Sequence, residues 1–326
     1  MAGEDRLKSR RNALTRLLSL SGLSVASSGL AYWLTRRSHR PTGEETLAAE
    51  RRVVVPPDPN LPEMVVARGD DPRALVRASL EELGGIKRFV ARGETVLVKP
   101  NIGWDRTPEQ AANTNPEVVA EVVRLCREAG AARVIVTDVS CNDPRRCFSR
   151  SGIAEAASRE GAEVPLPDDR ILKRARLTGS LGAWSVLEPL LAADKVINIP
   201  VAKHHSLSNV TLGMKNWLGI VSGPRYWLHQ DIHTSVVDLA EFARPALTIV
   251  DAYRILVRNG PTGGSLSDVE LRKTLIAGTD PVAVDACAAK NFWNLDARAL
   301  PYLQIAQDRG LGKLDFEKVR SKTVSV

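Results

Sequence analysis

Short apolar runs alternate along this chain with longer stretches in which apolar positions recur every three or four residues. Residues 64–67, 95–98, 133–137, 196–199, 246–250 and 271–277 are β-branched or aliphatic runs too short for helices, and each reads as a buried strand. Between them, Leu75, Val76, Leu80 and Leu83 predict a helix over 72–83, stopped by Gly84 and Gly85. Val118, Val119, Val122, Val123 and Leu125 predict another over 116–129, opened by Pro116 and capped by Thr114 or Asn115. Helical spacing recurs over 153–159, over 232–242, and from Pro281, where Asp280 is placed to cap. The stretch 164–184 reads as a strand-and-turn insertion, and 187–193 leads out of it. Strands alternating with helices predict an α/β fold with a mostly parallel sheet and helices on both faces. The 326 residues suffice for one lobe or two, and no internal repeat is visible.

The densest chemistry follows the strand at 196–199. Pro200 ends that apolar run, and Lys203, His204, His205, Ser206, Ser208, Asn209 and Thr211 come at once. Ligands of open α/β sheets bind at the carboxyl edge of the strands, where this loop is expected. Leu212, Met214, Trp217, Leu218 and Val221 then recur at helical spacing, predicting a helix that presents Lys215 and Asn216. Taken singly, such lysines and histidines are ordinary surface residues; their concentration in one strand-loop-helix unit points to a site. Lys203, Lys215 and Asn216 are the catalytic candidates.

K-x-H followed by N-V-T-x-x-x-K-N-x-x-G (Lys203, His205, Asn209, Val210, Thr211, Lys215, Asn216, Gly219) resembles domain-of-unknown-function family 362, a prokaryotic family. VLVKPN at 96–101, TNPEVV at 114–119, GPTGG at 260–264 and AGTDPVAVD at 277–285 fall in the same order. The resemblance runs over about residues 63–293. It implies an iron-sulfur association, since many members carry a separate ferredoxin-like module, and so a ferredoxin-like electron carrier as partner. Cys126, Cys141, Cys147 and Cys287 lack the tight C-x-x-C runs of cubane clusters, so no cluster held by these cysteines is expected.

Other candidates lie at predicted strand ends and turns. Lys99 and Asn101 end the strand at 95–98, Thr114 precedes a helix start, and Asn209, Thr211, Gly263 and Gly264 lie in loops; these are the ligand-binding candidates. Asp138 ends the next strand on the same edge as Lys99. His229 and His233 are four apart and would share one face of a helix. With His204, His205 and Asp251 they are the candidate ligands of a transition metal, although two imidazoles alone do not make a site. Asp285 either faces the site or lies on an exposed helix face.

Charge first suggests a polyanion partner, because the formal net charge is +7. Residues 1–40 hold eight Lys/Arg against two Asp/Glu, which leaves +1 for residues 41–326 and excludes a nucleic-acid reading. Ser9-Arg10-Arg11-Asn12-Ala13-Leu14 resembles a twin-arginine export motif, and the uncharged span 17–34 follows it. Eighteen residues also suffice to span a bilayer, so the segment is a signal or a retained anchor. The expected order is a signal or anchor (1–40), a Pro-rich linker (41–62) and the α/β domain (63–326), exported and periplasmic or membrane-anchored. Cys141 and Cys147 could pair in that compartment.

No Walker, Rossmann, nucleophile-elbow or H-E-x-x-H pattern is present. Two classes remain: a metal- or metallocofactor-dependent redox enzyme that binds a small anionic substrate or cofactor, and a non-catalytic envelope protein that binds the same ligand.

Overall fold

Burying both faces of one sheet is what the strand sequences demand, and the computed structural model, which describes residues 55–326, achieves it. In chain order the elements are β1 (Met64–Arg68), α1 (Pro72–Glu82), β2 (Thr95–Pro100), α2 (Pro116–Glu128), β3 (Arg133–Val136), α3 (Pro144–Arg150) and α4 (Ile153–Arg159). Then come β4 (Leu172–Arg176), β5 (Ala183–Leu187), α5 (Glu188–Ala192), β6 (Lys195–Ile199), β7 (Val201–His205), β8 (Asn209–Thr211) and β9 (Val221–Ser222). The rest are α6 (Ile232–Ala243), β10 (Leu247–Leu256), β11 (Val269–Gly278), α7 (Pro281–Trp293), α8 (Pro301–Asp308) and β12 (Ser321–Ser325).

The main sheet runs β12-β1-β11-β10-β6-β2-β3, with β7 pairing β10 and β8 pairing β7. Strands β3, β2, β6 and β10 are mutually parallel, as are β1 and β12, whereas β11 is antiparallel to both neighbours. The sheet is mostly parallel, as expected, with helices on both faces. Alternation assigns the faces: Val96 and Val98 join Leu75, Val118 and Ile153 on one side, while Leu97 joins Val236, Val284 and Leu303 on the other. A separate three-stranded sheet, β4-β5-β9, takes in the strand residues of the predicted insertion, Leu172–Arg176 and the start of β5.

Four expectations about elements change. The loop after Pro200 is instead a hairpin: β6 ends at Ile199, the Pro200 carbonyl accepts from the Asp251 amide (2.8 Å), and β7 continues beside β10. Strand β10 likewise continues past Asp251 to Leu256, and β11 spans Val269–Gly278. The helix predicted after Thr211 is a 3-10 turn at Lys215–Ile220 followed by β9. Strand β12 carried no apolar signal because most of its residues are exposed.

The signal or anchor and residues 41–54 of the linker lie outside the described residues. Among those described, no helix is long and apolar enough to cross a membrane. Residues 55–62 are irregular yet fixed to the domain. Val55 is buried in the core, Arg88 donates to the Pro56 carbonyl, and Arg320 donates to the carbonyls of Asp58 and Leu61. A chain beginning at residue 63 should therefore be less stable to urea than one beginning at 55, by about 1–3 kcal/mol, from one buried valine and a few hydrogen bonds. Equal midpoints would mean that 55–62 contribute nothing to the fold.

Candidate functional site

Three lysines are withdrawn from water at the carboxyl edge of the sheet, and they differ in what faces them. Lys99, in β2, is wholly buried and donates to Asp138 Oδ1 (2.6 Å) and to the Pro100 carbonyl (2.9 Å). Asp138 Oδ2 accepts from the Ile102 amide (2.7 Å). Burial lowers the lysine and raises the aspartate, and the attraction between them opposes both shifts.

Lys203 and Lys215 have no such partner: among the described residues no carboxylate lies within ion-pair distance of either. Lys203 Nζ donates to the Ala112 carbonyl (2.6 Å) and to Asn101 Oδ1 (3.1 Å), with the Trp104 ring 6.0 Å away. Lys215 Nζ donates to Ser208 Oγ (2.5 Å). Burial pushes Lys203 down to about 7. It pushes Lys215 down to about 6, with the charge of Lys203 adding to the shift. Near neutral pH these are amines close to their own titration points, unlike ordinary surface lysines.

Both amines line a cavity of about 350 Å³ whose polar wall also includes Asn101, His205, Thr211, Arg225 and His229, and which no acidic side chain lines. Strand alternation explains which residues of 203–205 reach it. Lys203 and His205 share one face of β7, whereas His204 points away and its Nδ1 accepts from the Gly260 amide (3.1 Å). Lys203 is registered with Thr211 of β8, so that hairpin supplies Lys203, His205 and Thr211 from its strands and Ser206 and Leu207 from its turn. His205 Nδ1 accepts from the Leu207 amide (3.1 Å), and burial together with Lys215 and Lys203 lowers the imidazole to about 3, leaving it neutral.

Arg225 reaches the cavity from a 3-10 helix, Arg225–His229, and is fixed by the carbonyls of Val139 (2.9 Å) and Ser140 (2.8 Å). Behind the wall runs a chain of amides. Asn101 Nδ2 donates to Asn216 Oδ1, Asn216 Nδ2 to Asn198 Oδ1, and Asn198 Nδ2 to the Gly213 carbonyl, at 3.0, 2.9 and 2.9 Å. Asn216 thus lies behind the wall, linking Lys203's acceptor Asn101 to the turn that carries Lys215.

Asp285 sets that turn. It is completely buried in α7 and accepts from the amides of Gly213 (2.7 Å) and Met214 (2.9 Å), immediately before Lys215. Burial raises it to about 7, opposed by those two amides. Of the two sequence readings of Asp285, the exposed helix face is excluded.

The metal candidates are not gathered. His229 Nδ1 is 3.0 Å from the Arg225 carbonyl, at the end of the 3-10 helix, whereas His233 belongs to α6 and stacks on Tyr302 with centroids 6.2 Å apart. The shared helical face expected of the two histidines is absent because Asp231 caps a new helix between them. Asp251 is mid-strand and buried; its oxygens accept from the amides of Asn115 (2.7 Å) and Tyr253 (3.0 Å). Among the described residues no three His, Cys, Asp or Glu side chains are grouped to hold a metal ion, so the set His204, His205, His229, His233 and Asp251 does not fit one.

Several ligand-binding candidates are structural in position. Thr114 Oγ1 donates to the Ile199 carbonyl and accepts from the Asn101 amide, and Asn115 is the cap of α2. The helix start expected to offer free amides is therefore already occupied by Asn115 and Asp251. Asn209 is exposed at the start of β8 with φ +61°. Gly263 and Gly264 direct carbonyls to Arg106 (3.4 Å) and Gln110 (2.7 Å), so Pro261, not the glycines, reaches the cavity. Cys141 and Cys147 are both free, the first exposed at the cavity and the second buried. Arg225 and Trp104 had no sequence signal of their own.

The family model described as Domain of unknown function (DUF362) matches residues 96–290, more than half of the chain. The chain belongs to this family. The DUF362 region takes in Lys99, Asp138, Lys203, Lys215 and Asp285. A thylakoid-associated protein from Synechocystis sp. is 29% identical over 246 residues, covering 73% of this DUF362 chain and 75% of the relative. Among solved structures, the lactate racemase apoprotein from Thermoanaerobacterium thermosaccharolyticum aligns with a TM-score of 0.43 at 14% identity, covering 74% of this chain and 58% of that one. A protein from Thermotoga maritima aligns with a TM-score of 0.42 at 12% identity, covering 73% and 60%. The chain thus spans less than two thirds of either solved chain.

The last glycine of the K-N-x-x-G motif has a steric reason. A Cβ on Gly219 would lie 1.9 Å from Asp138 Oδ1 and 2.9 Å from Lys99 Nζ. Gly219→Ala should lower stability to urea by about 1–3 kcal/mol or more, as overpacking does. Gly103→Ala, whose Cβ would meet nothing nearer than 3.4 Å, should cost less. Equal effects would show that the buried pair can move aside.

Proposed function

We propose that the protein binds a small anionic ligand between Lys203, Lys215 and Arg225, and that it is an enzyme in which Lys215 exchanges a proton with that ligand. The observation that carries this reading is two buried amines in one cavity with no carboxylate to neutralise them. A buried ammonium without a counter-ion is costly, and an anion of matching size supplies the missing charge. An amine that titrates close to neutrality is suited to accept or return a proton, as strongly shifted groups in clefts often do. Arg225 contributes a guanidinium held in place by the Val139 and Ser140 carbonyls. His205, held neutral, offers an imidazole without competing for the anion. A resident metal is not part of this reading, because the candidate ligands are dispersed over β7, β10, α6 and the 3-10 helix.

Binding should take up protons, because the anion favours the charged amines. With amines at about 7 and about 6 in the empty site, affinity for acetate or phosphate should rise as pH falls from about 8 to 6 and weaken above that range. Titration calorimetry in buffers of different ionisation enthalpy reads the proton uptake directly. Lys203→Met and Lys215→Met should each weaken binding at least about tenfold, the loss of one charge-assisted contact. In the ligand-free protein both amines sit below the ordinary lysine value of 10.5, so the folded state binds fewer protons than the unfolded one between about 6 and 10. Stability should therefore rise with pH across that window and flatten in Lys215→Met. Binding independent of pH, or unchanged in both variants, would overturn the site.

The same reading places the protein outside the cytoplasm, carried by the twin-arginine route. Its support is the Ser9–Leu14 motif before an uncharged span, and a relative whose name associates it with the thylakoid. Replacing Arg10 and Arg11 together with Lys should block export, because the pair is read by a receptor that charge alone does not satisfy. Unimpaired export of that double variant, followed by cell fractionation, would remove the claim.

A further inference from the structure

The rim of the cavity differs in character from its floor. Leu207, one of its lining residues, is 67% exposed. Tyr226 and Trp227 are 64% and 48% exposed and lie in the 3-10 helix whose first and last residues, Arg225 and His229, face the cavity. Their rings meet edge to face with centroids 5.7 Å apart, which holds them as one apolar surface. Inside, Trp104, Leu218 and Pro261 continue apolar wall toward the two amines. The two amines are thus buried members of the lining, whereas Leu207 is an exposed one and Tyr226 and Trp227 are exposed in the same 3-10 helix as the lining residues Arg225 and His229. Grouped exposed apolar side chains beside a cleft commonly mark what the cleft binds.

We propose that the ligand is an amphiphile, with an anionic head between Lys203 and Lys215 and an apolar tail that leaves the cavity over Leu207, Tyr226 and Trp227. This rests on the anion-binding reading above and adds the substrate class to it. Neither half would suffice alone: a small inorganic anion leaves the rim uncovered, and a neutral hydrocarbon leaves the amines without a counter-charge. Leu207 is both a lining residue and 67% exposed, which gives a tail an apolar exit from the cavity. The tail covers surface that water otherwise wets, so each methylene laid on it adds binding free energy in proportion to the area removed from water.

The test is a homologous series of straight-chain carboxylates from acetate to decanoate, each below its micellar concentration, bound to the full chain at pH 6.5 and followed by calorimetry. Beyond the carbons that the cavity itself accepts, the dissociation constant should fall by about three- to fourfold per added methylene, from roughly 0.8 kcal/mol per buried CH₂. In Tyr226→Ser/Trp227→Ser the dependence on chain length should flatten, while acetate, too short to reach the rim, binds as before. Acetate binding with no chain-length dependence in the wild type would overturn the amphiphile and leave the anion site standing. Absence of binding by acetate and decanoate alike would overturn both readings. A chain-length dependence retained in the double variant would show that the tail does not use this rim. If that retention is accompanied by loss of self-association or of flotation with phospholipid vesicles, the rim is a contact with a second copy or a bilayer, and the proposal is again overturned.

Discussion

An ammonium group taken out of water loses its hydration, and only an opposite charge or a full set of acceptors compensates. The carboxyl edge of this sheet contains both the compensated and the uncompensated case. Lys99 has Asp138 in direct contact and a backbone carbonyl besides, so that pair is a closed ionic unit within the fold. Lys203 and Lys215 have only neutral acceptors, and their amines are driven toward the uncharged form. The surrounding structure keeps them in that condition: Gly219 brings its backbone against the closed pair, and the chain of amides fixes the positions of the open ones.

Two buried carboxylates serve that arrangement from outside the cavity. Asp285 reaches from α7 to the amides of Gly213 and Met214, and Asp251 reaches from β10 to the first amide of the segment that becomes α2. Each is raised by burial, and each accepts hydrogen bonds from backbone N–H groups instead of pairing with a lysine. Had either faced the cavity, it would have neutralised the amines. Their use as backbone acceptors leaves Lys203 and Lys215 with only neutral acceptors. Substituting Gly213 would press a Cβ to 2.8 Å from Asp285 Oδ1, so the turn that delivers Lys215 has little latitude.

Much of the fold was legible in the apolar pattern, because a strand buried on both faces needs a continuous aliphatic run and an amphipathic helix needs its stripe. The helices opened by Pro116 and Pro281 have the expected caps Asn115 and Asp280, and that opened by Pro72 is capped by Asp71. The pattern misled where local periodicity was not the deciding force. Leu212, Met214, Trp217, Leu218 and Val221 have helical spacing, yet Asp285 takes the amides at the start of the segment and Asp138 confines Gly219, so a tight 3-10 turn and a short strand result. β12 escaped notice for the opposite reason: an edge strand with exposed side chains has no apolar run to display.

The sequence by itself determined that Lys203, His205, Thr211 and Lys215 belong to one neighbourhood, since a short loop and helix start cannot carry them far apart. The alternation that turns Lys203 and His205 one way and His204 the other came only with the structure, which makes a strand of what the sequence reads as a loop. Tertiary structure alone decided what each charged group faces. Lys99 and Asp138 are 39 residues apart, and Asp285 is 72 residues from the amide of Gly213 that it holds. The distance between His229 and His233 in the sequence suggested a shared metal, and a helix cap at Asp231 divided them. Whether a buried lysine is neutralised or left open depends on the nearest carboxylate in space, and proximity between distant segments is created only when the sheet assembles.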